Sequence, residues 1–396
     1  MNKITQPVSY RAKWVMIDPE TWISNGYISI SQSGLIGDCG QISSHQASPI
    51  IDLGEGVLMP CLINAHTHLE LSALKNRIPM HLGFANWVNQ LISERIVMGP
   101  ERLASEAQTA CQYLWETGTC AIGEISSLNL TKDIMIRSGL GGVWFHEFLG
   151  NDLIYIPQNI ILPENIHLSL AGHAPHTTSP NLLRHLKQST NRKPFSIHLA
   201  ESDDEIEFIT SAKGLWADFL EERGVNFSEW GLPQISPVQH LHQAGILDAT
   251  TLVVHLLHAN DSDLEILLDH QCPVCLCPRS NKNLHNRLPD CERMIQKGLI
   301  VCLGTDSLAS VDSLSLWDEM YFLWHQCPHL SPQMILKMAT INGAQALGIR
   351  HQSGQLATGY KACFIFAPVE GNSIDQIAQK LVALDFSLDD MIIFSA

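Results

Sequence analysis

Eight short apolar runs, rich in β-branched residues and ending in polar or small ones, recur between residues 57 and 306, and this recurrence restricts the fold more than any other feature. They occupy residues 57–68, 119–124, 141–147, 166–173, 195–198, 251–255, 272–279 and 299–306. Helix-like segments lie between them. Residues 101–116 repeat apolar positions at helical spacing and stop at Gly118, and 262–270 follow Asp261, a candidate cap. Most intervals hold one helix, but 69–116 and 203–250 leave room for insertions. Strand and helix alternating over about 250 residues predict a parallel α/β fold. No GxGxxG opens the first unit, which counts against a dinucleotide fold. A (β/α)8 TIM barrel is expected over 57–352.

The two ends differ from this pattern. Residues 1–56 carry short alternating stretches such as WVMI and YISISQSG, broken by Gly and Pro, and GQLATGYKACFIFAPVE within 353–396 has the same character. One small β-sandwich domain built from both termini is expected to flank the barrel.

Lys and Arg total 24 against 40 Asp and Glu, a formal charge of -16 that disfavours nucleic-acid polymers and anionic membranes as partners. The opening MNKITQPVSYRAKW turns polar too early for a secretory leader, and the 11 cysteines are scattered through apolar segments. A cytoplasmic protein is expected.

The polar residues that end the runs carry the chemistry. His66 and His68 stand two apart at the end of the first run, so on a strand both imidazoles share one face. An isolated HxH is often two ordinary polar residues, but here the fifth run ends in His198, the sixth in His255 and the eighth in Asp306. In a barrel all of these converge on the C-terminal mouth. Three imidazoles and a carboxylate form a nitrogen and oxygen set suited to zinc, with ferrous iron the alternative, and the expected ligands are His66, His68, His198 and Asp306. His255 is a fifth ligand or a hydrogen-bond partner of the bound water. Glu201, three residues beyond His198, is the candidate proton shuttle; the competing reading is a helix-start glutamate, because SDDE follows. His173, with His176 three residues on, ends the fourth run and is a candidate substrate contact. Glu124, Glu147 and Glu70 stand near strand ends as pocket candidates or salt-bridged mouth residues. Cys272, Cys275 and Cys277 are read as core rather than metal ligands: Gln271 precedes Cys272 where a PCxxC motif needs Pro.

With these residues in place, LMPCLINAHTHLE, GHAPHTTSP, HLAES, TLVVHLLHAND, CPRSN and GTDSLAS stand in the order found in the amidohydrolase superfamily, and nearly the whole chain resembles its mononuclear aminohydrolase branch. The resemblance implies the same ligand set, with Glu201 as the HxxE glutamate, His255 as the sixth-strand histidine and His173 as a substrate contact. Binuclear relatives bridge two ions with a modified fourth-strand lysine; IHLSLAGH has none, so one divalent metal ion is expected. HLELS, GFANW, GEISS and SLSLWDEM look most like aminofutalosine deaminases of menaquinone synthesis, and are also similar to adenosine-type and methylthioadenosine deaminases. In GYKACFIF, Cys363 stands where the family commonly has Asp, in the accessory domain.

The resemblance implies a hydrolase acting on a C–N bond. The metal would acidify its bound water, Glu201 would relay the proton with Asp306 and His255 orienting the nucleophile, and ammonia would leave a 6-aminopurine nucleoside. Aminofutalosine is the favoured substrate; adenosine, methylthioadenosine, adenosylhomocysteine, another aminoheterocycle or a triazine are the alternatives. A small heterocyclic molecule is the expected partner, and a homodimer is left open.

Overall fold

The computed structural model describes residues 2–41, 49–153 and 162–396. All eight runs are strands of one parallel sheet: β1 (Leu62–Thr67), β2 (Thr119–Ser126), β3 (Gly141–Phe148), β4 (Ile166–Gly172), β5 (Phe195–Leu199), β6 (Thr251–His255), β7 (Val274–Leu276) and β8 (Val301–Leu303), each paired with its neighbours in chain order. Most of these strands are buried along their whole length, as continuous apolar runs covered on both faces must be. The sheet closes where β8 meets β1. His66 O accepts the N–H groups of Thr305 and Asp306 at 3.1 Å each, and Thr67 forms a parallel bridge with Asp306. Gly304 permits this seam, since a Cβ there would lie 2.8 Å from His66 O and 2.8 Å from Cys275 Sγ.

The termini meet in a second sheet. Its strand order is Asn2–Lys3, Ile392–Ser395, Cys363–Ala367, Val57–Pro60, Val8–Asp18, Thr21–Ile30 and Ile36–Gln41, with Ile50–Asp52 also paired to Val8–Asp18. Backbone bonds from Ala362 N to Gly34 O and from Ile36 N to Tyr360 O tie its far parts together around Tyr10, Ile28, Phe364 and Phe394. Two details differ from the sequence-based boundaries. Val57–Pro60 pairs with Cys363–Ala367 in this sheet, so the barrel strand starts at Leu62; the chain passes between two buried strands at Cys61 with no polar break to mark the crossing. The C-terminal segment also supplies a helix, Ile374–Val382, whose Ile377, Ala378, Leu381 and Val382 join the main core of the barrel.

The longer intervals form the roof of the mouth. The first contains a 3-10 turn, Leu69–Leu74, and the helical stretch α1 (Phe84–Glu116), broken at Gly99 with φ 71° just before Pro100. The second contains α2 (Asp203–Ser211) and α3 (Leu215–Glu222). The helix Asp261–Asp269 is capped by Asn260 in a box with Asp263, one residue earlier than the expected cap Asp261, because Asn260 holds the extended backbone an N-cap needs. Among the described residues no helix is long and apolar enough to cross a membrane.

Candidate active site

The C-terminal ends of β1, β5, β6 and β8 bring His66, His68, His198, His255 and Asp306 together, all of them buried. At three of these ends the chain leaves its strand through a left-handed residue: Ala200 (φ 51°), His255 (φ 75°) and Asp306 (φ 60°). Non-glycine residues seldom adopt this conformation, and where they do the surrounding structure must enforce it.

Three histidines present the same atom to one point. His66 Nε2 lies 3.1 Å from His68 Nε2 and 3.2 Å from His198 Nε2. Burial, reinforced by the neighbouring imidazoles, pushes the pKa of His66 and His198 well down, and burial also lowers that of His68. Neutral imidazoles are what a metal requires, and one shared proton can satisfy only one of the close pairs. Two nitrogens bound tetrahedrally to an ion at 2.0–2.1 Å stand about 3.3 Å apart, close to the spacing here. Asp306 completes the set. Its Oδ1 lies 3.7 Å from His68 Nε2 and 3.9 Å from His66 Nε2, while Oδ2 accepts hydrogen bonds from Ser280 Oγ (2.5 Å) and Ser310 Oγ (2.9 Å). One carboxylate oxygen is thus anchored and the other faces the imidazoles. The residues fit a divalent metal ion. Glu147 and His173 also form a group with His198, but the two groups share His198 rather than offering separate sets.

Glu201 stands beside this cluster. Its Oε1 is 3.6 Å from His255 Nε2 and 3.2 Å from His285 Nε2. Burial raises its pKa, but His255 and His285 outweigh that and hold it at about 2, so the carboxylate is ionised and ready to accept a proton. Asn281 Oδ1 lies 2.8 Å from His255 Nδ1 and orients the ring, with Nε2 turned toward Glu201. The helix-start glutamate of this segment is Glu205, not Glu201. Ser202 caps α2 and accepts from Glu205 N, while the Glu205 carboxylate reaches back to Ala200 N (2.9 Å) and Glu201 N (2.8 Å).

The remaining sequence-derived candidates divide. His173, its Nδ1 2.7 Å from Thr177 Oγ1, lines the cavity with Glu147; burial lowers the pKa of His173 to about 3 and raises that of Glu147 to about 8. Glu70 lines it too, accepting from Ser126 Oγ and from the N–H and Oγ of Ser127. Glu124, expected at the pocket, is not on its wall: its side chain is buried, and Oε2 accepts the N–H of Leu69 at 2.9 Å, fixing the turn that follows His68. His176 lies behind the mouth, its ring centroid 4.3 Å from that of Trp216, with Nδ1 3.8 Å from Glu205. Cys272, Cys275 and Cys277 are buried core residues.

Sequence reasoning missed His285, Ser280 and Asn281, although CPRSN held two of them. All three lie on the helix α4 (Pro278–His285) that follows β7, whose arginine, Arg279, meets Asp312, Asp318 and Glu319.

The cavity has a volume of about 320 Å³ and is lined by two chemically distinct sets of side chains. The histidines, Glu201 and Asp306 form one. Leu71, Phe84, Trp87 and Leu91 from the first interval and Trp216 and Phe219 from the second form the other, with Arg95 and Arg223 also on the wall. A site lined in this way can activate water at its polar residues while holding a flat, partly apolar molecule.

The model of the Amidohydrolase family matches residues 158–391. A 5-methylthioadenosine/S-adenosylhomocysteine deaminase from Desulfitobacterium hafniense (strain Y51) is 28% identical over 374 residues, covering 88% of this chain and 82% of its own length. An aminodeoxyfutalosine deaminase from Deinococcus radiodurans is 28% identical over 317 residues, 74% of each chain. The crystal structure of Helicobacter pylori aminofutalosine deaminase in complex with methylthio-coformycin superposes with a TM-score of 0.82 at 22% identity, covering 97% of this chain and 99% of that one.

Proposed function

We propose that this chain, which belongs to the amidohydrolase family, is a metal-dependent hydrolase that removes the amino group of a 6-aminopurine nucleoside, with aminofutalosine of menaquinone synthesis as its favoured substrate. The observation that carries the reading is the convergence of His66, His68 and His198 on one point beside Asp306 and an ionised Glu201, in a cavity that also carries an apolar wall. The deaminase relatives support the reaction class.

His66, His68, His198 and Asp306 would hold one ion, zinc by the character of the set and ferrous iron as the alternative. When bound, such an ion supplies Lewis acidity that brings the pKa of water near neutrality. Glu201 takes one proton of the attacking water and delivers it to the ring nitrogen next to the carbon under attack, then moves the second proton, from the new hydroxyl, to the amine, which leaves as ammonia while the carbonyl forms. His255, oriented by Asn281 through Nδ1, hydrogen-bonds that water through Nε2. His285 donates to Glu201 and holds its carboxylate in the cleft. His173, oriented by Thr177, contacts the substrate, with Glu147 beside it. The apolar wall receives the sugar and its 5′ substituent and excludes water from the reacting carbon. The free state of all 11 cysteines supports a reducing cytoplasm as the place of action.

The test is ammonia release by the purified, zinc-loaded protein across a panel of aminopurine and aminopyrimidine compounds. Aminofutalosine is expected to lead adenosine, methylthioadenosine and adenosylhomocysteine. Efficient turnover of guanine, cytosine or a chlorotriazine with every 6-aminopurine nucleoside inert would overturn the assignment.

A further inference from the structure

At the end of the barrel away from the active site, three cysteines from three separate segments meet. Cys61 is the residue at which the chain crosses from Val57–Pro60 of the terminal sheet into β1, Cys120 lies at the start of β2, and Cys363 opens the strand Cys363–Ala367 of the terminal sheet. Cys61 and Cys120 are buried and Cys363 is partly buried. The Sγ atoms of Cys61 and Cys363 are 3.5 Å apart, and all three sulfurs lie within 4.8 Å of one another.

We propose that Cys61, Cys120 and Cys363 form a three-sulfur site for a soft d10 cation of the copper(I) or cadmium(II) class, joining the terminal sheet to the barrel. Three donors at about 2.3 Å from one ion in a plane stand about 4 Å apart, which fits one contact of 3.5 Å and three sulfurs that all lie within 4.8 Å of one another. The donor set is sulfur alone, which selects thiophilic ions over magnesium, calcium or manganese. Each thiol that ligates gives up its proton to solvent. Hydrogen bonds from Cys120 and Cys61, and then the charge of Lys361, favour the thiolate of Cys363 against its burial, while the thiols of Cys61 and Cys120 are pushed up. A second trio, Cys275 with Cys277 and Cys302, meets inside the barrel, but its three sulfurs do not all lie within 4.8 Å of one another.

The location separates the site from catalysis. Cys61 precedes His66 by five residues, about 17 Å along an extended chain. An ion bound there bridges two structural units and stabilises only the folded chain.

The experiment uses the intact protein with its catalytic metal, reduced by a phosphine and titrated with cadmium chloride. A sulfur-to-cadmium charge-transfer band saturating at one equivalent is expected, with a rise in melting temperature, because no cysteine or methionine is among the described residues that line the active-site cavity. In C363S and C120S both signals should be lost while ammonia release is unchanged, and C363A guards against a folding defect peculiar to serine. The proposal fails if wild type shows no band, if the band survives in C363S, C363A and C120S, or if peptide mapping without reductant finds Cys61 and Cys363 joined as a disulfide in the protein as isolated.

Discussion

Replacing Glu205 by glutamine tests whether the proton shuttle depends on the turn that carries it. Glu205 is fully buried, and its two carboxylate oxygens accept the backbone N–H groups of Ala200 and Glu201 at 2.9 and 2.8 Å. Ala200 sits in the left-handed region at φ 51°, so these bonds hold a conformation the chain would otherwise leave. Glutamine keeps one acceptor but turns an NH2 toward the second N–H. Losing that charge-assisted bond and leaving its buried N–H without a partner costs about 1–3 kcal/mol, which places the variant that far below wild type. Displacing Glu201 by about an ångström costs on the order of 100-fold in rate. The metal-binding imidazoles are untouched. Glu205→Gln should therefore keep its metal by elemental analysis, unfold at lower denaturant, and lose about two orders of magnitude in turnover with little change in KM. Wild-type stability and turnover together would refute the coupling between the α2 cap and the shuttle.

His198→Ala should lose metal and ammonia release together, whereas Glu201→Gln should retain one ion per chain and lose roughly 10²- to 10⁴-fold in turnover; elemental analysis beside kinetics separates the two, and near-normal rates for Glu201→Gln would remove its assigned role. Trp87→Leu, on the apolar wall, should lower kcat/KM for nucleosides with bulky 5′ substituents by roughly 10-fold while sparing adenosine, and an equal loss for both would mean that the wall does not contact the substituent. Glu319 is buried, and burial pushes its pKa from the ordinary 4.5 to about 8 in spite of Arg279. Between those values it stays protonated in the folded chain and ionises in the unfolded one, so stability is complete below the window and falls as pH rises through it. In urea melts at pH 5 and pH 8, Glu319→Gln should flatten that decline, and an unchanged slope would count against the buried acid as its source.

The barrel was legible because each of its strands is an apolar run ended by a polar residue, and in a parallel barrel every such end faces one mouth. That rule found His66, His68, His198, His255 and Asp306 from their positions alone. It placed Glu124 wrongly because a strand-end carboxylate can turn to the following loop as readily as to the cavity, and the N–H of Leu69 was the stronger local attraction. His285 escaped because it closes a helix whose inward face is set by Arg279, Asp318 and Glu319, partners invisible in the run pattern. The start of β1 was hidden for a different reason: Pro60, Cys61 and Leu62 are all buried, so no change in polarity marks the passage from one sheet to the other.

The terminal sheet also fixes an order of events during synthesis. Val57–Pro60 pairs with Cys363–Ala367, and Asn2–Lys3 with Ile392–Ser395. A nascent chain that has made its first strands must wait about 300 residues for their partners, on the order of tens of seconds at roughly 5–20 residues per second. During that interval the open edge of Val57–Pro60 is available to other chains. The barrel strands, by contrast, each find a neighbour in the next one made. Slowed translation late in the message should therefore increase aggregation through the sheet's N-terminal half, while the barrel assembles as it emerges.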